Sequence, residues 1–105
     1  MRNLNFKVSG QRLTKEGDFD NIVVGSKGYL KAVFTFDSEW KGFARVAVFR
    51  PNSGNEVPVM IDANGECLVP NEVTDCACIS VKVVGKSKTG QIIVTNIVYF
   101  MQNSK

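Results

Sequence analysis

The feature that most constrains this chain is its wealth of β-branched aliphatic residues, which fall in short segments of alternating polarity. Val and Ile together number 21, against four Leu and five Ala. β-branched side chains are stiff, pack well on a pleated surface and are mediocre helix formers. No stretch repeats its apolar residues at the helical period, so the pattern predicts strands rather than helices.

Several segments place every second side chain on one face, which is the periodicity of a strand. Leu30, Ala32 and Phe34 share one face of such a segment, and Ile79, Val81 and Val83 point inward from another. We predict strands over residues 4–8, 29–36, 44–50, 57–61, 79–83 and 91–101, with shorter apolar runs at 22–24 and 67–69. About seven or eight strands at this spacing are typical of a β-sandwich or barrel. We therefore predict a single all-β sandwich domain over residues 1–105.

Turn residues suggest how some of these strands connect. Asn64-Gly65 is the pair that best tolerates the two positive φ angles of a type I′ turn, which predicts a hairpin between residues 59–61 and 67–69. Pro58 cannot donate to a strand ladder, so we expect its strand to lie at a sheet edge or to be bulged. Pro70 is well placed to begin a single helical turn over residues 70–73.

The composition argues against most enzyme classes. The chain has no histidine, which removes the commonest general base and a common metal ligand together. Cys67, Cys76 and Cys78 are odd in number and form no Cys-x-x-Cys pair, so we expect reduced thiols, as in the cytoplasm, and no zinc site. We expect no catalytic residue, no metal and no cofactor.

The charge and hydropathy of the sequence argue against nucleic-acid and membrane partners. Thirteen basic and ten acidic residues leave a net charge of +3 that is spread along the chain, so we expect no nucleic-acid partner. No apolar run approaches the roughly 20 residues that cross a bilayer, and the N-terminus has no signal-peptide pattern. We therefore expect no membrane partner.

Aromatic residues are the candidate contact residues. Trp40, Phe43, Phe49 and Tyr29 are candidates for a protein interface or for stacking on a ligand, because aromatic side chains anchor such surfaces. Trp40 has a second interpretation, in which it caps the core from the connection between two strands.

Five motifs follow one another in a characteristic order. They are Phe34-Thr35-Phe36-Asp37-Ser38-Glu39-Trp40-Lys41-Gly42, Ala47-Val48-Phe49-Arg50, the stretch from Asp62 to Glu72, Ile79-Ser80-Val81-Lys82-Val83-Val84-Gly85, and Val94-Thr95-Asn96-Ile97-Val98. As an ordered set they resemble a family of small immunoglobulin-like β-sandwich domains in tail and baseplate proteins of phages that infect Gram-positive bacteria. The resemblance implies an immunoglobulin-like antiparallel sandwich and transfers no catalytic or ligand-binding residue. Members of this family usually begin longer proteins, whereas this sequence ends just after its last predicted strand, so we expect a free-standing module.

The resemblance implies a function in binding rather than catalysis. We expect a non-enzymatic structural or docking module of the tail, baseplate or decoration of a virion, made in the bacterial cytoplasm. Its expected partners are phage virion proteins and further copies of itself, through edge strands or apolar patches. One alternative is a phage-encoded inhibitor of a bacterial defence system that binds a host protein or a signalling nucleotide. Another is a carbohydrate-binding module, which requires Trp40 to be exposed in a shallow groove.

Overall fold

The structure, a computed structural model, describes residues 1–104, which form nine strands in two sheets. The strands are β1 (Arg2–Ser9), β2 (Arg12–Glu16), β3 (Leu30–Phe36), β4 (Ala44–Pro51), β5 (Val57–Met60), β6 (Glu66–Leu68), β7 (Cys78–Lys86), β8 (Ile92–Val94) and β9 (Val98–Met101). Single 3₁₀ turns lie at Ser38–Trp40 and Asn71–Val73. Lys105, the last residue of the predicted 1–105 domain, lies outside the described residues. The predicted all-β sandwich is confirmed, with nine strands in these residues rather than seven or eight.

The two sheets differ in strand direction. The four-stranded sheet has the order β2-β1-β3-β6, and the five-stranded sheet has the order β5-β4-β7-β8, with β9 also paired to β7. β1 and β3 pair in parallel, whereas the other strand pairs are antiparallel. The parallel pair departs from the wholly antiparallel sandwich that we expected. It arises because β2 occupies one side of β1, and the connection over residues 17–29 returns the chain to the other side in the original direction.

The core lies between the sheets and is built from alternating residues of both. The predicted inward positions of β3 and β7 are buried, so these assignments are confirmed. β1, which was predicted as a strand over residues 4–8, buries Leu4, Phe6 and Val8 in the same alternating way. The ring of Phe6 stacks on Phe34 within its own sheet, with centroids 5.0 Å apart, and lies 6.5 Å from Phe100 of the opposite sheet. These aromatic contacts join the two layers through the middle of the core.

The hairpin predicted around Asn64-Gly65 is wrong in its strand pairing. β5 pairs with β4 and β6 pairs with β3, so the two flanks join opposite sheets. The turn itself forms: the Gly65 N–H donates to the Asp62 carbonyl, and the Asp62 carboxylate accepts from the N–H groups of Asn64 and Glu66. Gly65 has a φ of +81°, but Asn64 is not among the residues with positive φ. The turn residues specify a chain reversal, and core packing decides which sheet each flank joins.

The prediction of a single strand over residues 91–101 is also wrong, because the strand is interrupted between β8, which ends at Val94, and β9, which begins at Val98. Thr95 exchanges hydrogen bonds with Val83 of β7, its N–H donating to the carbonyl at 3.0 Å and its hydroxyl accepting at 2.9 Å. The Asn96 side-chain amide then pairs with the backbone N–H and carbonyl of Leu13 on β2, at 2.7 and 3.0 Å. Thr95 therefore holds this segment on β7 of its own sheet, and Asn96 ties it to β2 of the other sheet.

Two proline predictions are confirmed. β5, which contains Pro58, is an edge strand of the five-stranded sheet. Pro70 caps the short 3₁₀ turn at Asn71–Val73, so the predicted helical turn begins one residue later than expected.

Candidate functional site

Trp40, which we predicted as a candidate contact residue, is fully buried at one end of the sandwich. Its indole N–H donates to the Gly10 carbonyl at 2.7 Å, and its ring packs against Phe36 and Phe43. A Cβ added at Gly85 would come within 2.5 Å of the ring, so the indole lies directly on the backbone of β7. An enclosed indole has no face for a ligand. The structure therefore contradicts the exposed Trp40 that a carbohydrate-binding module requires.

The other three aromatic candidates do not form one surface. Phe49 is fully buried on the inner face of β4, so its ring is closed to a partner, and the prediction that it is a contact residue is corrected together with that for Trp40. Phe43 is half-buried beside Trp40, with ring centroids 6.0 Å apart. Tyr29 is exposed, but it precedes β3 and so lies at the opposite end of that strand from Trp40. Tyr29 and Phe43 remain accessible without being close to each other.

The two outer faces of the sandwich differ sharply in polarity. The outer face of the four-stranded sheet is mostly polar or charged: Asn3, Asn5, Lys7, Ser9, Arg12, Thr14, Glu16, Lys31, Val33, Thr35, Glu66 and Leu68. The outer face of the five-stranded sheet is mostly apolar: Ala44, Val46, Val48, Arg50, Pro58, Met60, Cys78, Ser80, Lys82, Val84, Lys86, Ile92, Val94, Tyr99 and Met101. The first face is typical of a solvated sheet, and the second is not.

Four aliphatic side chains form a continuous row across the second face, which we call the apolar stripe: Met60, Val46, Val84 and Val94. Each is directly opposite the next in strand register. Met60 is 65% exposed and Val94 is 41% exposed, and the neighbouring Ile92 is 62% exposed. Directly opposed side chains lie about 5 Å apart, so the row is a contiguous apolar surface. Large contiguous exposed apolar patches are typical of interaction sites.

A cleft of about 260 Å³ opens on the same face beside the apolar stripe. Arg50, Lys82 and Tyr99 are among the residues that line it, and we call it the basic cleft. The Lys82 ammonium pairs with the Glu56 carboxylate at 3.3 Å, and the Arg50 Nε–H donates to the Gly54 carbonyl at 3.2 Å. This arrangement leaves the terminal N–H groups of Arg50 available for a carboxylate or carbonyl of a partner.

The sheet edges, in contrast, are short or partly blocked. The Ile61 N–H donates to the Arg45 carbonyl of β4, so by the two-residue period Pro58 is turned toward the free edge of β5 and removes a donor there. The Asn96 side chain occupies the backbone groups that Leu13 presents at the free edge of β2. β6 and β8 have three residues each. Strand addition at these edges is disfavoured, which leaves the apolar face as the open surface.

The three cysteines are unpaired and lie in different environments. Cys67 is buried, and this burial, together with the nearby Asp62 carboxylate, raises the pKa of its thiol to about 12. Cys78 is partly exposed and lines the basic cleft, and Cys76 is also partly exposed. No group of three His, Cys, Asp or Glu side chains within residues 1–104 is placed to hold a metal ion.

The sequence predictions missed the residues of the apolar stripe. A signal for them is present in the sequence, because β4 and β8 carry apolar residues on both faces, as in Val46-Ala47-Val48-Phe49 and Ile92-Ile93-Val94. Double-sided apolar strands occur either in a covered sheet or at a protein interface. A two-layer sandwich covers only one face of each sheet, so no element within residues 1–104 covers the outer apolar face of β4 and β8.

Comparison with known proteins adds no family assignment. The chain matches no protein-family model, and no curated protein gives a significant match to its sequence. Within residues 1–104, the structure contains no helix with the length and apolarity needed to traverse a bilayer.

Proposed function

We propose that this chain is a non-enzymatic structural module of a phage virion that docks to protein subunits through the outer face of the five-stranded sheet. The observation that carries the proposal is the contrast between the two outer faces. One face follows the polar pattern of a solvated sheet, whereas the other carries the apolar stripe and the basic cleft.

The chemistry of this face suits a protein partner. An apolar centre with a few charged groups beside it, Arg50 and Lys82 among them, resembles the anatomy of protein interfaces. Tyr99 is 57% exposed beside these cations, and tyrosine and arginine are the residue types enriched at interface hot spots. The short and blocked edges favour binding by the face over strand addition.

The phage assignment depends on the resemblance of the ordered motifs, and the positions of the motif residues support it. The Asp37 carboxylate accepts from the Gly10 N–H at 2.8 Å, and Trp40 donates to the Gly10 carbonyl. Gly85 makes room for the indole, and Asn96 ties the sheets together. The motif residues therefore hold the fold together, and a module that presents a rigid binding face requires residues with this role.

The test is the protein content of purified particles of the phage that encodes the chain. We expect the chain among the virion proteins at a stoichiometric copy number by mass spectrometry. Ile92→Asp places a charge beside the apolar stripe and should reduce incorporation. Leu68→Asp is the matched control, because Leu68 is also exposed and also belongs to a three-residue strand, but on the opposite face.

Two outcomes would overturn the proposal. Absence of the chain from purified particles would remove the virion role and favour the inhibitor of a host defence system. Equal incorporation of the Ile92→Asp and Leu68→Asp variants would remove the five-stranded face as the docking surface.

A further inference from the structure

We infer that the occupant of the five-stranded face is a second copy of this chain, packed back to back about a two-fold axis that runs along the strands between β4 and β7. This inference rests on the proposed function, because it names the partner that covers the proposed docking face.

The size of the face suits a weak, reversible dimer. Its five strands β4, β5, β7, β8 and β9 contain 28 residues. At about 3.4 Å per residue and about 4.8 Å between strands they cover roughly 450 Å² in projection, so two such faces bury roughly 900 Å², which is in the range of weak and transient protein complexes. Two stacked sheets keep their strands within about 30° of each other, so the axis along the strands gives an ordinary sheet-on-sheet packing.

The register makes the face self-complementary about this axis. The rotation exchanges β4 with β7 and β5 with β8 while keeping each residue at its level along the strands. Met60 then faces Val94 of the second copy, and Val46 faces its Val84, so the apolar stripe covers itself. An axis across the strands at the level of Val48 and Lys82 would instead place the apolar stripe against the level that carries Arg50. An axis across the strands at the level of the stripe would place Met60 against Met60 of the second copy, so the residue that faces Met60 distinguishes the two axes. Only interfaces in which a patch matches itself close into a two-fold dimer.

The charges on the face are compatible with this arrangement. Arg50 lies opposite Ser80 in the strand register, and Lys82 lies opposite Val48, so the exchange of β4 and β7 directs each cation at an uncharged side chain. Lys82 is in addition paired with Glu56 at 3.3 Å. Lys82 of the second copy then lies over Val48, one level along the strand from Arg50, so the Glu56 carboxylate that pairs with Lys82 is the group that offsets the nearby like charges.

The first experiment measures mass by sedimentation equilibrium over a concentration series of the full chain. We expect a reversible rise from the 11.6 kDa monomer toward twice that mass. Met60→Asp and Val94→Lys should each raise the dissociation constant at least about tenfold, because each leaves an uncompensated charge in the interface. Leu68→Asp on the opposite face should leave it unchanged, and circular dichroism confirms that each variant is folded. A monomer at all concentrations, or a dimer insensitive to both variants, overturns the inference.

The second experiment mixes the two charged variants. In a mixed dimer about the proposed axis, the Met60→Asp position of one chain faces the Val94→Lys position of the other, and the second pair remains Met60 against Val94. Dimerisation should therefore return in the mixture, and its absence there overturns the proposed axis. A monomeric chain that is nevertheless found in particles would refute this inference alone, and a dimer absent from particles would refute the virion role alone.

Discussion

The contact between Gly85 and Trp40 provides the sharpest test of how this fold is held together. A Cβ at position 85 would lie 2.5 Å from Cζ3 and 3.0 Å from Cε3 of the Trp40 ring, and 3.3 Å from Cδ2 of Phe43. The indole has no room to retreat, because it is fully buried and its N–H is fixed to the Gly10 carbonyl. Gly85→Ala must therefore displace the ring.

The expected cost follows from two opposing effects. Overpacking of a filled core costs about 1–3 kcal/mol. Replacing a glycine restricts the unfolded chain and returns about 0.4–1 kcal/mol. Gly85→Ala should thus lower the free energy of unfolding by about 1–2 kcal/mol, which for a domain of this size lowers the melting temperature by roughly 5–15 °C.

Urea denaturation of a double-mutant cycle measures the effect. Trp40→Phe shortens the ring that the new methyl group would meet, so Gly85→Ala should cost less in that background, with a coupling energy of about 1 kcal/mol. The m-values should agree among the four proteins if two-state unfolding is retained. An equal cost of Gly85→Ala in both backgrounds would refute the proposed contact.

Two further predictions concern Cys67 and Asn96. Because burial raises the pKa of the Cys67 thiol from 9.0 to about 12, its contribution to stability is complete below pH 9 and is lost as the pH rises toward 12. The stability difference between the wild type and Cys67→Ala should shrink over this range in urea denaturation, and a constant difference would contradict the assignment. Asn96→Ala unpairs two backbone groups of Leu13 and should cost about 1–3 kcal/mol with faster hydrogen exchange at the Leu13 amide. Asn3→Ala on the polar face is the control, and an equal loss of stability in that variant would argue against a stabilising role for the hydrogen bonds between Asn96 and Leu13.

The sequence was sufficient to predict the strands whose two faces differ in polarity. Leu4, Phe6 and Val8 alternate with polar residues, and their burial follows from the period of two. Pairing was harder to predict, because Asn64-Gly65 specifies a turn but not the sheet that each flank joins. The break in the final strand depends on the Asn96 amide reaching Leu13, a contact between residues 83 positions apart that no local pattern encodes.

The apolar outer face of the five-stranded sheet could not be predicted, because the sequence pattern does not show which residues of its strands point outward. Val46 and Ala47 are both apolar, so alternation alone does not tell which of them points outward. The stacking of the sheets settles this, because Ala47 is buried whereas Val46 is only partly covered. Trp40 shows the converse: its residue type suggested a contact, but the backbone space at Gly85 allows the core to enclose it.

The most direct test of the account is the alkylation rate of Cys78, which lies in the basic cleft on the five-stranded face. Peptide mass spectrometry compares this rate in assembled particles with the rate in the dilute free chain, with Thr14→Cys on the opposite face as the control thiol. We expect assembly to slow the labelling of Cys78 and to slow that of the control thiol less. Equal labelling of Cys78 in the two states would contradict the claim that this face is covered by protein.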